Sequence, residues 1–466
     1  MEDQSKFIAE LFKKIDELTK RVSSLESMEK ENVILRKENQ VLRNKLSKHE
    51  NPKNSSNSSV PPSKDERRPF KTKSLREQTG KQVGGQKGHD GNTLKMSPSP
   101  DKIIEYIPDF CTKCGGNLEG VPYDFTGKRQ VVDIPIIRPE YIEHRVFERK
   151  CGCGHTTCSS YPKNVNASIS YGSNTESLVG YLYSRQYVPF DRMKELFNDV
   201  FSLPISEGGL HQLLNRLSQK ATPAYQMIKE KITASSVVGA DETGVKINGK
   251  KCWYWTWQNE DLTFILPSTN RGFDTIKSNF ENGFQKSVLV HDCWKSHFQT
   301  QAQTHQVCTA HLLRELNYFI ESYKDHWSSK FRQLLLDALK IKKEMKHSDY
   351  YNYHPPRTKI ENRLIVLLEQ IVNKNHSDLI AFHKRMNKYK EYLFNFLYYP
   401  DVPANNNGSE RAIRNIKVKQ KISGQFKSIL GALNFAKLRS ITDTAIKNGQ
   451  NVCNALKVIA KLNVTD

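Results

Sequence analysis

No run of about 18 consecutive apolar residues occurs anywhere in this chain, so no membrane-spanning helix and no membrane partner are expected. The opening residues, MEDQSKFIAELFKK, lack the basic start, apolar middle and small-residue cleavage site of a secretory signal, and a cytoplasmic protein is expected. Acid is in short supply. Fifty Asp and Glu face 71 Lys and Arg, and the resulting charge of +21 fits a polyanionic partner, nucleic acid first, or a very soluble surface. No internal repeat is present. Cysteine is sparse except between Cys111 and Cys158, which hold five of the nine, a distribution that suits a metal site in a reducing compartment better than a disulfide scaffold. With 466 residues the chain has room for two or more domains.

Apolar residues recur at Ile8, Leu11, Ile15, Leu18, Val22 and Leu25, then at Met28, Leu35, Leu42 and Leu46. The alternation of threes and fours slips once, between Leu25 and Met28, as a stammer does in a coiled coil. Asn32 and Asn39 stand seven apart at a positions, where buried Asn fixes the register of a parallel pair. Residues 1–50 therefore predict a dimerisation helix, the alternative being a surface helix packed on its own chain. Residues 51–100 are first rich in Ser, Asn and Pro and then basic and glycine-punctuated, a linker ending in a basic arm that either follows DNA phosphates or is a solvated tether.

Over 101–170, CTKCGGNL and CGCG flank the strand-like RQVVDIPIIRPEYIEHRVFERK. Cys111, Cys114, Cys151 and Cys153 are expected to hold a structural zinc ion, with Cys158 or His155 as a substitute for one ligand because the C-x-C spacing is the less usual half. Residues 171–234 read as helices broken at Pro204, with Ser206 and a Gly pair before Leu210. That is the form of a DNA-binding helix-turn-helix or of a plain packing unit.

From Val237 the character changes. VVGADETGVKI, KKCWYWTWQN and LTFILPSTN are strand candidates joined by turns such as Asn248-Gly249; a helix near Thr275 to Phe280, a strand SVLVHDCW and a fifth strand QVCTAH follow. Asp241 and Asp292 close the apolar runs of the first and fourth strands. Three meandering strands and a crossover helix make those two strands neighbours in a ribonuclease H-like mixed sheet, where paired carboxylates hold magnesium. In SERAIRNIKVKQK, Glu410 sits in the first turn of a helix after Asn405 to Asn407, and Arg411, Arg414, Lys417, Lys419 and Lys421 follow it. Packed across the sheet, that helix would bring Glu410 to the same metals and its cations to a DNA backbone.

The fragments GADETG, VHDCW, CTAHLLREL and NNNGSERAIRNIKVKQKISGQFKS, with the upstream GGQKGHDG and the cysteine cluster, resemble the large transposase of the insertion sequence 66 family, in order along nearly the whole chain. The resemblance implies a DDE transposase with Asp241, Asp292 and Glu410 as catalytic metal ligands for magnesium or manganese, and His311, of the matched Cys308/His311 element, in support. It implies a catalytic domain over 235–321 and 396–445, a helical insertion over 322–395, a C-terminal helix over 446–466, action on element ends and target DNA, a homodimer or larger assembly, small accessory proteins, and a bacterial, nucleoid-associated setting. The chain departs from the family pattern at Asn415 and at Gly424-Gln425, neither of them a metal ligand. Glu242 belongs to the matched motif, but strand alternation turns it from Asp241 and leaves it outside the catalytic set. Two alternatives stand: a dimeric zinc-containing DNA-binding regulator without catalysis, and a structure-selective nuclease.

Overall fold

The computed structural model describes residues 2–50, 53–54, 57, 65, 94–162, 165 and 167–462. The GGQKGHDG motif and, apart from residue 65, the basic arm lie outside the described residues. Helix α1 (Glu2–Glu50) is continuous for 49 residues, and its repeating apolar side chains, Leu11, Ile15, Leu18, Val22 and Leu25 among them, are solvent-exposed in the single chain. In the cysteine-rich segment, the strand expected over RQVVDIPIIRPEYIEHRVFERK is reduced to its last residues. There β1 (Glu148–Lys150) pairs with β2 (Thr156–Cys158) as an antiparallel hairpin, and Phe110 and Asn117 form an isolated bridge. Upstream, Val131, Ile134 and Ile136 are exposed, because no described strand offers their backbone a ladder.

Helices α2 (Ser173–Ser184), α3 (Phe190–Phe201), α4 (Glu207–Lys220) and α5 (Thr222–Thr233) follow. Ser206 caps α4 by accepting from the Gly209 amide at 3.1 Å, and Leu210, Leu213, Leu214 and Leu217 form its buried stripe. These helices share one core with the sheet and the C-terminal helices. Val179, Leu217, Ile232, Trp257, Phe264 and Leu456 belong to one apolar cluster.

The sheet contains β3 (Val237–Ile247), β4 (Lys250–Gln258), β5 (Thr263–Ser268), β6 (Phe284–His291) and β7 (Ala302–Val307), in the order β5-β4-β3-β6-β7. The first three strands form an antiparallel meander, and β6 and β7 run parallel to β3. Asn248 and Gly249 both take positive φ, 47° and 74°, the tight reversal that an Asn-Gly pair favours between β3 and β4. Helix α6 (Phe273–Asn279) makes the crossover to β6, α7 (Lys295–Phe298) connects β6 to β7, and α8 (Thr309–Tyr323) leaves β7.

Helices α9 (His326–Glu344), α10 (Pro355–Glu369) and α11 (Ser377–Lys388) form the insertion. Their Phe331, Leu335, Leu364 and Phe382 join Val290 and Val307 of the sheet in a second apolar cluster. The chain then returns through α12 (Asn407–Ser423), α13 (Ile429–Lys447) and α14 (Val452–Ala460). The result is a mixed α/β core with a five-stranded sheet buried on both faces.

Candidate active site

The parallel ladder between β3 and β6 pairs Val237 with Val288, Val238 with Leu289 and Gly239 with Val290. Two residues further along each chain lie Asp241 and Asp292, so the register that buries Val238 and Val290 also aligns the two carboxylates. Asp241 is not at the end of its strand, as the apolar run alone suggested. The strand continues to Ile247, paired with β4 and bridged at its end to Phe426, and Asp241 lies where β6 stops. Burial, then the neighbouring Asp292, Glu242 and Glu410, push the Asp241 carboxyl well above the usual carboxylate range, although the Glu242 amide donates to its Oδ1 at 2.8 Å. Asp292 Oδ1 accepts from the Trp294 amide at 2.9 Å.

Glu410 reaches this region because the start of α12 lies against β3 with almost no space between them. A Cβ on Gly239 would come within 2.7 Å of Asn406 Oδ1 and 2.9 Å of Ser409 Oγ; one on Gly408 would come within 2.4 Å of Gln258 Nε2. Asn406 is buried, and its side chain does not cap the helix as an Asn-rich start predicts. Its Nδ2 donates to Ala240 O at 2.7 Å, its Oδ1 accepts from Ser409 Oγ at 2.7 Å, and its amide donates to Cys308 Sγ at 3.2 Å. Cys308 N donates in turn to His291 O at 2.8 Å, and Thr309 Oγ1 to Ala404 O at 2.8 Å. The ends of β6 and β7 and the starts of α8 and α12 are thus tied together around the two aspartates.

Glu410 Oε1 accepts from Arg314 Nη2 at 2.8 Å and lies 3.9 Å from His311 Nε2. Burial, then Arg314, hold His311 below its ordinary pKa, in the neutral form. The acids are electrostatic neighbours, but among the described residues no three His, Cys, Asp or Glu side chains form a group that could hold a metal ion.

The sequence reading missed the surroundings of Glu242. Alternation does turn it from Asp241, yet its Oε1 accepts from Arg271 Nε at 2.8 Å and its Oε2 lies 3.0 Å from His297 Nε2, itself 3.9 Å from Asp292 Oδ1. Burial would raise the Glu242 carboxyl, but His297 and Arg271 outweigh it and hold it below the ordinary value. Arg271 in turn lies 3.8 Å over the Trp294 ring. The only signal for this cluster in the sequence was His297 five residues beyond Asp292.

Along α12, Arg411, Arg414 and Lys421 are exposed at helical spacing, while the other two cations leave that face. Lys417 is half-buried and donates to Gly244 O, and Lys419 is buried. In the cysteine segment, Gly115 and Gly154 take positive φ of 70° and 86° and make two matching knuckles. Hydrogen bonds from the Lys113 and Cys114 amides hold the Cys111 thiol below its ordinary pKa, and the Cys153 amide does the same for Cys151. Cys111 and Cys114 are drawn together, as are Cys151 and Cys153, but the described residues do not bring the two pairs into one group.

No curated protein matches the chain at a significant level. Residues 3–95 match a family of unknown function (DUF6444). Residues 169–434, more than half the sequence and all of the sheet, match the family described as Transposase IS66 family, and the chain belongs to that family.

Proposed function

We propose that this transposase is of the DDE type on a ribonuclease H-like core, cutting element ends and joining the freed 3′-hydroxyls to target DNA. The observation that carries the reading is the docking of α12 on β3 and β4 at Gly239 and Gly408, which sets Glu410 in the field of two carboxylates aligned by the β3–β6 register. The donor set fits a hard divalent cation. The carboxylates Asp292, Glu242 and Glu410 are the charged neighbours that raise the Asp241 pKa, which marks an excess of negative charge there, and His297 and the Trp294 amide stand beside Asp292. Asp241, Asp292 and Glu410 would hold magnesium or manganese. When bound there, such ions supply activation of a water or a 3′-hydroxyl and neutralisation of the leaving oxygen in an in-line displacement.

The chain's own groups do the rest. Arg314 holds Glu410 by one oxygen and leaves the other available, and neutral His311 stands beside it as a supporting group. His297 fixes Glu242 and approaches Asp292, so the second aspartate is backed by an ordered side chain. The test is a gel assay with end-sequence DNA and magnesium or manganese, scoring binding, cutting and joining on one preparation. Cutting without joining would favour a structure-selective nuclease. Binding with neither would favour the non-catalytic regulator.

Four further features belong to this reading. The exposed seam of α1 is assigned to pairing with a second copy, and α4 in its capped turn to DNA contact. Arg411, Arg414 and Lys421 are assigned to phosphates. Each Ala substitution should weaken DNA binding and flatten the slope of log affinity against log salt by about 0.9, measured by anisotropy from low to high salt. An unchanged slope would remove that residue from the interface. Zinc is assigned to Cys111, Cys114, Cys151 and Cys153, which sit on two preformed knuckles where the lowered Cys111 and Cys151 thiols suit thiolate ligation. Purified protein should carry about one zinc per chain, and Cys111→Ser or Cys151→Ser should reduce it to near none by elemental analysis. Retention of zinc in both variants would refute the assignment.

A further inference from the structure

Lys419 is 3% exposed, and among the described residues no carboxylate or hydrogen-bond acceptor pairs with it; its ammonium lies 4.2 Å above the Tyr183 ring. A buried cation so placed is costly to the folded state, and burial lowers its pKa to about 8. It lines a cleft of about 490 Å³ formed by the start of α4, the end of α12 and the start of α13.

Two helices of 14 and 19 residues begin at this cleft. Ser206 and Ser428 cap them by accepting from Gly209 and Gly431, so the positive ends of both macrodipoles point toward the space that Lys419 lines. Lys427 adds a second cation, and Glu207 is the one carboxylate on the lining, exposed and unpaired with Lys419. Part of the remaining wall is aromatic, beside polar groups such as Asn215 and Asn434. Phe190 stacks on Tyr183 at 5.6 Å, and Phe426 also lines the cleft.

The SGQFKS loop that supplies Phe426 and Lys427 is itself fixed. Phe426 N donates to Lys246 O at 3.0 Å, Asn248 N donates to Phe426 O at 2.8 Å, and Gln425 Oε1 accepts from the Gly249 amide at 2.7 Å. The cleft is therefore preformed and attached to the β3–β4 hairpin that carries Asp241.

We infer that this cleft is a binding site for one unpaired nucleotide of a DNA strand, its phosphate on Lys419 and the two helix starts, its base against Phe190. The volume is that of a small-ligand site and excludes a duplex, whereas a single nucleotide brings both the anion and the flat apolar face that the two walls complement. The inference rests on the transposase reading for its choice of DNA. It concerns a site apart from the acids and apart from the exposed face of Arg411, Arg414 and Lys421.

The experiment compares full-length protein with Lys419→Met on two DNA probes of the same end sequence, one blunt and one with a three-nucleotide single-stranded overhang carrying 5-iodouracil. Wild type should bind the overhang probe more tightly, and its photo-crosslink should map to the peptides of Phe190, Tyr183 or Phe426. Lys419→Met should lower affinity for the overhang probe by roughly tenfold or more, as loss of a charged hydrogen bond does, and leave the blunt probe unchanged. Its melting temperature should stay level or rise, because an uncompensated buried charge has gone. Equal overhang and blunt affinities in wild type, equal loss on both probes in the variant, or crosslinks elsewhere would overturn the assignment.

Phe190→Leu, which keeps the packing apolar, provides a second arm and should reduce the crosslink and the overhang preference. Competition separates phosphate alone from a nucleotide. A mononucleotide should displace the overhang probe at concentrations where inorganic phosphate does not, and equal competition would overturn the nucleotide. Since none of these readouts needs cleavage, they can fail while the acid-dependent cutting succeeds, and the reverse.

Discussion

Asp241→Asn, Asp292→Asn and Glu410→Gln are each expected to lower strand cleavage by roughly 10³-fold or more, with affinity for end-sequence DNA changed little. Cooperating catalytic groups lose most of their effect when any one is removed, so the double variants should be scarcely worse than the singles. Binding should persist because the cations assigned to phosphates, Arg411, Arg414 and Lys421, lie on the exposed side of α12 and are left in place by these substitutions. Loss of binding together with cleavage would mean that the acids hold the fold and not the reaction.

Stability supplies an independent reading of the same variants. Asp241 has a raised pKa from burial and from Asp292, Glu242 and Glu410. A group raised in the folded state contributes stability below its unfolded pKa and gives it up as pH rises through the folded value. At neutral pH Asp241 is therefore a liability of the metal-free fold. Asp241→Asn should raise the melting temperature by a few degrees at pH 7 to 8 and have little effect near pH 4. Magnesium or manganese should raise the wild-type melting temperature and affect the variant less. A variant less stable than wild type at neutral pH would contradict the electrostatic account.

The sheet was legible in the sequence because its strands are continuous apolar runs bounded by turn residues, and Asn248-Gly249 admits only a tight hairpin. The order of the strands followed from one crossover helix between β5 and β6. The two aspartates were legible as interruptions of those runs. What escaped was anything set by approach between remote segments. Asn406 reads as a helix cap, but the closeness of β3 gives its amide group a better partner in the Ala240 carbonyl. Glu242 reads as an outward residue until Arg271 and His297, 29 and 55 positions away, enclose it. Lys419 belongs by charge to a DNA-facing row, yet it stands two residues before the exposed Lys421, a turn of about 200° on a helix, which carries it to the buried face. The segment before β1 shows the converse. Alternating Val and Ile over 131–137 satisfy the strand pattern, but pattern gives no ladder without a partner strand.

Gly239→Ala is expected to lower cleavage by roughly 10²-fold while Gly244→Ala, five residues along the same strand, leaves it within about twofold. The two glycines read alike in GADETG, but their surroundings differ. A Cβ at Gly244 meets nothing within 4 Å, whereas at Gly239 it meets Gln258 Nε2 at 2.5 Å, Asn406 Oδ1 at 2.7 Å and Ser409 Oγ at 2.9 Å. Gln258 can swing aside only by releasing Lys447, which donates to its Oε1 at 2.9 Å. Asn406 is fixed by Ala240 and Cys308, so the first turn of α12 must lift from β3. Overpacking of this kind costs about 1–3 kcal/mol, a loss that a domain of this size survives. Glu410 lies four residues beyond Asn406, one helical turn, and moves with it; a displacement near 1 Å at a reacting group is enough for the stated loss. Asn406→Ala should act in the same direction by freeing the Ala240 carbonyl, with DNA binding retained. If Gly239→Ala cuts as well as Gly244→Ala, the close docking of α12 does not position Glu410, and the glutamate's catalytic assignment loses its structural basis.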